Sequence, residues 1–310
     1  MQIGGLLYNI PSLFISRYTF VMEITKELIE ANWPLTQVVI KPMPLPGKGG
    51  TVGIVEAKEG KYTCKIPGSW KTPINLDRDL DAFDFLHNKN FQYISKLLRT
   101  KDAKKFIKIG DKLIYLMEFI EGNHPEWWNT STFSTIGKIT AELHSIQGFP
   151  FESDYRPDIA ISQAIEKAHK FSFKDEYIEV LKSVRPFDNL TKVLMHTEIT
   201  PRNIIQKSDG SMILIDWDEV GIGPAVLDLG VSLINHFITE EDLAIRRIDA
   251  EAYYQSYFAL RPMSPEEKTY IFDSGVYWAC LWVEFGDIEK RWNKIKWAIE
   301  NKEKIKALHK

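Results

Sequence analysis

Positions 196–203 of the chain read His-Thr-Glu-Ile-Thr-Pro-Arg-Asn, and positions 213–218 read Ile-Leu-Ile-Asp-Trp-Asp. A histidine, an acid two residues later, an asparagine five residues after the acid and an aspartate ending an apolar strand are typical of phosphoryl-transfer sites. In such a site Glu198 orients or deprotonates an attacking hydroxyl, while Asn203 and Asp216 supply oxygen ligands to Mg²⁺. We expect His196 to be structural, with its ring bonded to backbone near the metal-binding turn. The alternative for the Asn and Asp is turn and cap chemistry, because both residue types favour loops.

The composition bounds the class of protein. The 310 residues include 44% hydrophobic and 26% charged side chains, which suits a globular protein with two separately packed lobes. A formal net charge of −3 gives no overall attraction to nucleic acid or acidic membranes, so neither is expected as a partner. Two cysteines, Cys64 and Cys280, are too few for a disulfide framework, which favours a reducing, cytoplasmic location. Oligomeric state is left open.

Residues 1–21 are apolar-rich but do not fit a targeting segment. No Lys or Arg precedes Arg17, as a secretory signal would require, and Asn9 and Pro11 interrupt the run that a spanning helix would need. A segment with helical spacing opens at Met22 and has a better claim to belong to the fold. We therefore predict that residues 1–21 form a peripheral extension.

The apolar pattern changes period along the chain. From residue 22 to residue 119 it indicates a five-stranded antiparallel sheet with one main packed helix, interpreted as an N-lobe. After a break at residues 120–123 it becomes mainly helical, which defines a C-lobe over residues 120–310. The predicted fold class is α+β, with a small antiparallel β N-lobe and a larger helical C-lobe. The predicted strands are 36–41, 51–57, 61–66, 106–109 and 112–119; the predicted helices are 23–32, 77–88, 131–146, 158–182, 225–237, 240–259, 265–285 and 288–308.

Candidate phosphate contacts in the N-lobe begin with the glycine loop at residues 47–50. Backbone N–H groups of Gly49 and Gly50 are suited to bind phosphates, although the same loop would serve as an ordinary hairpin connection. Lys65 ends a strand with an apolar face and is the candidate for the α- and β-phosphates. The alternative for Lys65 is a solvated lysine on an edge strand.

Two further features of the N-lobe complete the predicted nucleotide site. A strand lysine needs an acidic partner, and Asp79 in the helix at 77–88 is the candidate, with Asp84 as the fallback. The alternative treats Asp79 as one of several acids on the helix surface. Main-chain groups of Glu118 and Ile120 would run along the adenine edge, so side chains are little constrained there.

The chain resembles the aminoglycoside phosphotransferase and choline kinase family, whose fold is similar to that of protein kinases. That family shows His-x-Asp-x-x-x-x-Asn, then Ile-Asp-Trp followed by an acid, then Gly-x-x-x-x-Asp-Leu. The matching segments here are His196 to Asn203, Ile215 to Asp218, Gly223 to Leu229, the helix Gly137 to His144 ending in Leu-His, and the N-lobe residues above. The resemblance implies ATP or GTP and Mg²⁺ as cofactors, and a small-molecule hydroxyl as acceptor.

Two residues depart from the family pattern. Glu198 stands where the family carries its catalytic Asp, and Asp79 stands where Glu is usual. A displacement of about 1 Å at the reacting centre costs on the order of 100-fold in rate, and a positioned base contributes roughly 10²- to 10⁴-fold. The first interpretation is therefore a small-molecule kinase, and the alternative is a nucleotide-binding pseudokinase-like sensor or scaffold with weak or no transfer. A module that binds no nucleotide is poorly supported, because Lys65, Asn203 and Asp216 are retained.

The acceptor is constrained only by the resemblance and by one aromatic segment. Trp278, Trp282 and Phe285 share a helical face near Glu284 and Asp287. Such a face would hold a cationic hydroxylated molecule, such as an aminoglycoside- or choline-like compound. The alternative, which we favour, is that these aromatic residues are core.

Overall fold

The computed structural model describes residues 24–42, 50–126, 129–153 and 155–309. The described chain divides into two compact units. The first comprises the residues up to Asp84 together with Ser95–Ile120, and the second comprises Phe85–Ile94 and the residues from Glu121 onward. The predicted peripheral extension at residues 1–21 and the predicted contact at Gly49 lie outside the described residues.

The first unit is built on an antiparallel sheet in the order β1-β2-β3-β6-β4, with β5 also paired to β6. The sequence predicted five of these strands and missed β4, because two residues are too few to show an alternating pattern. Helix α1 begins after Thr25, whose hydroxyl accepts the Leu28 N–H at 3.2 Å. The elements are α1 (Lys26–Asn32), β1 (Val39–Pro42), β2 (Gly50–Ala57), β3 (Gly60–Pro67), α2 (Pro73–Asn88), β4 (Leu97–Leu98), β5 (Ile107–Ile109) and β6 (Lys112–Glu118).

The core of the first unit lies between α1 and the sheet. Trp33 is fully buried beside Cys64 and Leu116 from β3 and β6, and its indole N–H donates to the Leu98 carbonyl at 3.2 Å. That bond satisfies the polar atom of a large buried side chain. The apolar stripe read from the sequence is therefore the packed face of the sheet.

The second unit is mainly helical and contains two small two-stranded antiparallel sheets. Strand β7 pairs with β10, and β8 pairs with β9. Together with the first unit this confirms the α+β, protein-kinase-like fold class. The elements are α3 (Thr130–Ser145), α4 (Pro157–Lys167), α5 (Lys174–Ser183), β7 (Lys192–Met195), β8 (Ile204–Gln206), β9 (Met212–Leu214), β10 (Gly221–Pro224), α6 (Ala225–Gly230), α7 (Arg247–Leu260), α8 (Pro265–Leu281), α9 (Ile288–Glu300) and α10 (Lys302–Lys306).

Several predicted helices of the second unit are interrupted or shorter in the structure, and the helix expected at 288–308 divides into α9 and α10 at Asn301. The helix expected at 158–182 divides into α4 and α5, because Phe171 and Phe173 between them turn inward and Phe173 stacks on Trp292 at 4.6 Å. The helices expected at 225–237 and 240–259 are shorter, and turns occupy much of the interval between them. The carbonyls of Asn235 and Ile238 lie in that interval and accept hydrogen bonds from the buried ammonium of Lys294. These bonds satisfy backbone carbonyls that would otherwise accept hydrogen bonds within a helix.

The two small sheets position the residues of the sequence motif. His196 directly follows β7, and the Asp228 helix α6 directly follows its partner β10. Asn203 directly precedes β8, and Asp216 lies two residues after β9. Because paired strands hold their ends at fixed separation, these four residues are tied to two rigid ladders.

Two further observations bear on the predicted class. None of the described helices is long and apolar enough to cross a membrane. Both cysteines, Cys64 and Cys280, are buried and free. Burial raises the pKa of each thiol well above its ordinary value, which leaves both thiols protonated and unreactive.

Candidate active site

His196, which follows β7, bonds the chain segment that follows β9. Its Nε2 lies 2.9 Å from the Ile215 carbonyl oxygen, and its Nδ1 accepts the Glu198 backbone N–H at 3.4 Å. Burial lowers the pKa of this imidazole, against the opposing charges of Asp228 and Asp216. A neutral ring that donates through Nε2 and accepts through Nδ1 satisfies both contacts. This is the backbone contact that the sequence predicted for a structural histidine.

Asn203 fixes the same segment from the other side. Its carbonyl accepts the Ile215 N–H at 2.8 Å, so both backbone groups of Ile215 are held by motif residues. Its side-chain Nδ2 donates to the Glu198 carbonyl at 3.0 Å. That bond orients the amide and leaves Oδ1 as the atom that Asn203 offers to a cation. Asp216 is the next residue after Ile215, so the two hydrogen bonds to Ile215 also fix the backbone position of Asp216 beside the loop.

The three predicted catalytic and metal residues form one electrostatic group. The pKa of Glu198 is raised to about 7, first by burial and then by the negative charge of Asp216. Hydrogen bonding from Asn203 and the charge of Arg202 oppose the shift. Glu198 is therefore close enough to Asn203 for a hydrogen bond and close enough to Asp216 for their charges to interact, and the catalytic and metal-binding roles of the three residues stay predictions.

This group suits a divalent cation. In the described parts of the chain, no set of three or more His, Cys, Asp or Glu side chains is arranged to hold a metal ion. An amide oxygen and a carboxylate are nevertheless hard ligands of the type Mg²⁺ takes, and Mg²⁺ commonly completes its shell with phosphate oxygens and water. A cation there would also offset the repulsion between Asp216 and Glu198.

Asp228 is a functional residue whose role the sequence did not reveal. Its buried carboxylate accepts the backbone N–H of His196 at 2.9 Å and of Thr197 at 2.6 Å. Thr197 has φ 75°, an unfavourable conformation for a β-branched residue, so these two bonds stabilise a strained loop. The sequence showed Asp228 only as part of a matched motif; its position in an apolar helix was the available signal that it is buried.

The first unit holds the predicted lysine and acid, with one additional partner. Lys65 is buried in β3, opposite Tyr115 of β6. Asp79 is buried in α2 and contacts the Nζ of Lys71 at 2.5 Å, with only 7% and 4% of the two side chains exposed. The fallback Asp84 contacts Arg99. The Lys65–Asp79 pairing stays a prediction, and Lys71 is a partner that sequence reasoning missed because it lies in the loop after the strand.

The remaining nucleotide candidates have defined backbone roles. Gly50 opens β2 at φ 126°, and a Cβ there would lie 2.1 Å from the Ile66 carbonyl, so strand pairing alone requires glycine. The Glu118 N–H donates to the Lys96 backbone carbonyl, and the Phe119 N–H donates to the Lys61 backbone carbonyl. The Glu118 carbonyl and the Ile120 amide are therefore the main-chain groups to consider for a purine.

The predicted acceptor face is largely structural. Trp278 is buried, and its indole N–H donates to the Leu227 carbonyl at 2.9 Å. Glu284 forms an ion pair with Lys170 at 2.5 Å, and Asp287 caps α9 by accepting the Lys290 N–H. Phe285 is 46% exposed. For Trp278 the core interpretation, which the sequence favoured, agrees with its burial.

Comparison with solved structures identifies similar folds. The chain is similar to amicoumacin kinase hAmiN, in a complex with AMP-PNP, Ca²⁺ and Ami, at TM-score 0.66 and 15% identity, covering 92% of this chain and 96% of that one. It is similar to choline kinase LicA from Streptococcus pneumoniae at TM-score 0.61 and 18% identity, covering 91% and 98%. It is similar to spectinomycin phosphotransferase, solved with ADP and spectinomycin, at TM-score 0.60 and 14% identity, covering 88% and 92%. At these identities the likeness shows the fold alone.

Comparison at the level of sequence gives a sharper result. Among curated proteins, none matches this chain. The model described as "Phosphotransferase enzyme family" matches residues 51–265, which is more than half of the chain and includes the whole motif from His196 to Asp228. With the fold, the loop and this match in agreement, the chain belongs to the phosphotransferase enzyme family.

Proposed function

We propose that this phosphotransferase moves the γ-phosphoryl group of ATP or GTP to a hydroxyl of a small molecule, with Mg²⁺ as its metal. One observation carries the proposal: Glu198, Asn203 and Asp216 converge, and the Ile215 backbone between them is bonded on both sides. Phosphoryl transfer depends chiefly on positioning and charge neutralisation, which a rigid loop of this kind provides.

Glu198 is the residue that handles the acceptor proton. Its ionised carboxylate accepts a hydrogen bond from the attacking hydroxyl and takes its proton as the oxygen bonds to the γ-phosphorus, while the bond from that phosphorus to the β-phosphate oxygen breaks and ADP or GDP leaves. A pKa of about 7 leaves Glu198 partly protonated near neutrality when no metal is bound. The Asn203 side-chain amide and the Asp216 carboxylate would hold Mg²⁺, which would supply positive charge to the phosphates and would favour the ionised form of Glu198.

The nucleotide contacts proposed for the first unit are those indicated by the sequence. Lys65 binds the phosphates, Asp79 supports that lysine, and Gly49 and Gly50 lie on the loop that covers them. The Glu118 carbonyl and the Ile120 amide bind the purine edge. The ADP in the spectinomycin phosphotransferase structure and the AMP-PNP in the amicoumacin kinase structure support a nucleoside triphosphate as donor.

The acceptor is proposed to be a small hydroxylated molecule. The similar structures are of proteins named for spectinomycin, amicoumacin and choline. A cationic aminoglycoside- or choline-like compound fits that set. Because Glu284 and Asp287 already have structural partners, the cation would be bound by other carboxylates. We place the enzyme in the reducing cytoplasm, in keeping with two free cysteines.

The test is release of ADP from Mg-ATP across a panel of hydroxylated amines, sugars and antibiotics. Asp216→Ala should lower turnover by at least about 10³-fold, because metal charge stabilisation is worth several kcal/mol. Asp209→Ala is the matched control, since Asp209 lies in the turn that joins β8 to β9 and caps Ser211. Equal turnover in the two variants would remove the metal assignment from Asp216.

Glu198 favours a second candidate, a nucleotide-binding protein with weak transfer. The longer side chain stands where the family carries Asp, and its raised pKa reduces the ionised fraction. Glu198→Asp separates the two candidates by a turnover measurement. A large rise indicates natural attenuation, whereas a fall indicates a site built around glutamate.

A further inference from the structure

A chain of buried hydrogen bonds leads from helix α7 to the catalytic loop. His144, at the end of α3, places Nε2 3.0 Å from Asp228 Oδ2 and Nδ1 2.9 Å from the Tyr257 hydroxyl. The Tyr257 oxygen in turn accepts from Arg261 Nη1 at 3.2 Å. His144, Tyr257 and Asp228 are each at most 3% exposed. The chain therefore runs through the interior of the second unit.

The donors and acceptors in this chain point in one direction. Arg261 donates to Tyr257, the Tyr257 hydroxyl donates to His144 Nδ1, and His144 Nε2–H donates to Asp228. A neutral imidazole satisfies every contact, and burial lowers the pKa of His144 although the Asp228 charge opposes this. The tautomer of His144 is thus fixed by Tyr257, and the orientation of the Asp228 carboxylate is fixed by His144.

Close packing of two helices makes the chain possible. A Cβ on Gly137 of α3 would lie 2.2 Å from the Tyr253 carbonyl of α7, so glycine is needed for this approach. The Ser134 and Ser256 hydroxyls lie 2.8 Å apart across the same interface. His144 lies about two turns after Gly137 and Tyr257 about one turn after Tyr253, and their contact is a product of that packing.

We propose that His144, held by Tyr257, is a positioning residue that fixes Asp228 against the amides of His196 and Thr197 and thereby fixes Glu198. Among the described residues, the carboxylate of Asp228 has three donors: two are the amides of the strained loop, and the third is His144. Without the third donor both oxygens still accept the loop amides, but the carboxylate loses the contact that holds it to helix α3, and the alignment of the loop amides is weakened. Glu198 is the next residue after Thr197, so its placement follows.

The helix offers a matched control for the tyrosine. Tyr254 lies one turn before Tyr257, is equally buried, and donates its hydroxyl to the Leu229 carbonyl at 3.0 Å. Tyr254→Phe and Tyr257→Phe each remove one buried hydroxyl from the same helix. Only the Tyr257 hydroxyl reaches Asp228 through His144.

Hydrogen exchange tests the loop without using activity. Tyr257→Phe should raise the exchange rate of the His196 and Thr197 amides about five- to tenfold, the effect of weakening one buried hydrogen-bond link. Tyr254→Phe should change those amides less than twofold. Equal effects of the two variants, or no effect of Tyr257→Phe, overturn the proposal.

Turnover tests the catalytic consequence, which rests on the proposed phosphotransferase activity. His144→Leu should lower kcat about 100-fold, because misplacement by about 1 Å costs that much, while KM for Mg-ATP stays within threefold. His144→Gln should recover at least tenfold of the loss, since its amide N–H reaches the position of Nε2. Equal kcat in the Leu and Gln variants at equal thermal stability overturns positioning. Absence of turnover in the wild type would reject the proposed function, and the exchange experiment would still decide the role of His144.

Discussion

The loop at residues 196–203 and the buried ion pair between Lys71 and Asp79 in the first unit are built differently. In the loop, backbone groups are held by side chains of the motif itself: His196 and Asn203 bond Ile215, and Asp228 bonds the amides of the loop. In the first unit, two side chains meet directly, and Asp79 contacts Lys71 of a loop. The arrangement of the loop follows from the spacing of its residues along the chain. The ion pair depends on which lysine side chain reaches the Asp79 carboxylate.

That difference indicates how each region tolerates change. A motif fastened through backbone keeps its shape when a single functional side chain is replaced, as with Glu198 in place of Asp. A buried ion pair has no such reserve, because removing one partner leaves the other charged in a low-dielectric interior. We therefore expect substitutions in the loop to act mainly on activity and substitutions in the ion pair to act mainly on stability.

Asp79→Ala is the change with the largest expected effect on stability. It leaves the buried Lys71 ammonium without the carboxylate 2.5 Å away, and breaking a buried pair in this way costs about 3–5 kcal/mol. The free energy of unfolding, measured by urea titration, should fall by that amount. The double variant Lys71→Met/Asp79→Leu should recover part of the loss, because the Lys71 charge is removed together with the Asp79 carboxylate, whereas the buried Lys65 keeps its charge.

Asp81→Ala on the same helix is the control. Asp81 contacts Lys105, also at 2.5 Å, but its side chain is 36% exposed, so the expected loss is under about 1 kcal/mol. A similar loss for Asp79 and Asp81 would mean that burial does not distinguish the two pairs. It would also weaken the contrast with the loop.

Glu198→Gln probes the loop by pH, with an intermediate expected effect. Burial raises the folded-state pKa of Glu198 to about 7, above the ordinary value of 4.5, so the stability that protonated Glu198 contributes is complete below about pH 4.5 and is lost as pH rises through 7. Glutamine does not titrate, and its advantage over glutamate should therefore grow across this window to roughly 1–3 kcal/mol. Urea titrations at pH 5 and pH 8 with EDTA measure the difference. An advantage that is the same at both values contradicts the raised pKa.

Glu198→Gln also separates stability from function. The variant should be more stable than the wild type at pH 8 and should lose turnover, because an amide cannot accept the hydroxyl proton. That combination is expected of a residue kept for activity at a cost in stability. A variant that loses both would indicate that Glu198 supports the loop rather than the reaction.

The sequence predicted those features that depend on local spacing. His196, Asn203 and Asp216 could be placed because hairpin ends and strand periods follow from the residues themselves. Lys71 as a partner of Asp79, and His144 as a partner of Asp228, could not, because each contact joins segments whose proximity is set by packing. The helix boundaries near Gly230 and Phe171 were missed for the same reason. Gly230 packs closely against Ser274, and Lys294 donates to the Asn235 carbonyl in the turns that follow. Near Phe171, Phe173 stacks on Trp292, and all three partners come from distant parts of the chain.

Thr200→Val tests a buried side chain of the loop that is not part of the catalytic motif. It has the smallest expected effect on the free energy of unfolding. Thr200 is 1% exposed, and its hydroxyl has no hydrogen-bond partner among the described residues. A buried hydroxyl without a partner keeps its desolvation cost, so an apolar residue of the same shape should raise the free energy of unfolding by about 1 kcal/mol. Thr140→Val is the opposite case, because the equally buried Thr140 donates to the Ile136 carbonyl at 2.8 Å, and its loss should lower stability by a similar amount. If Thr200→Val were as damaging as Thr140→Val, the hydroxyl would be a bonded part of the loop in solution, and side chains beyond the motif would share in fixing Glu198.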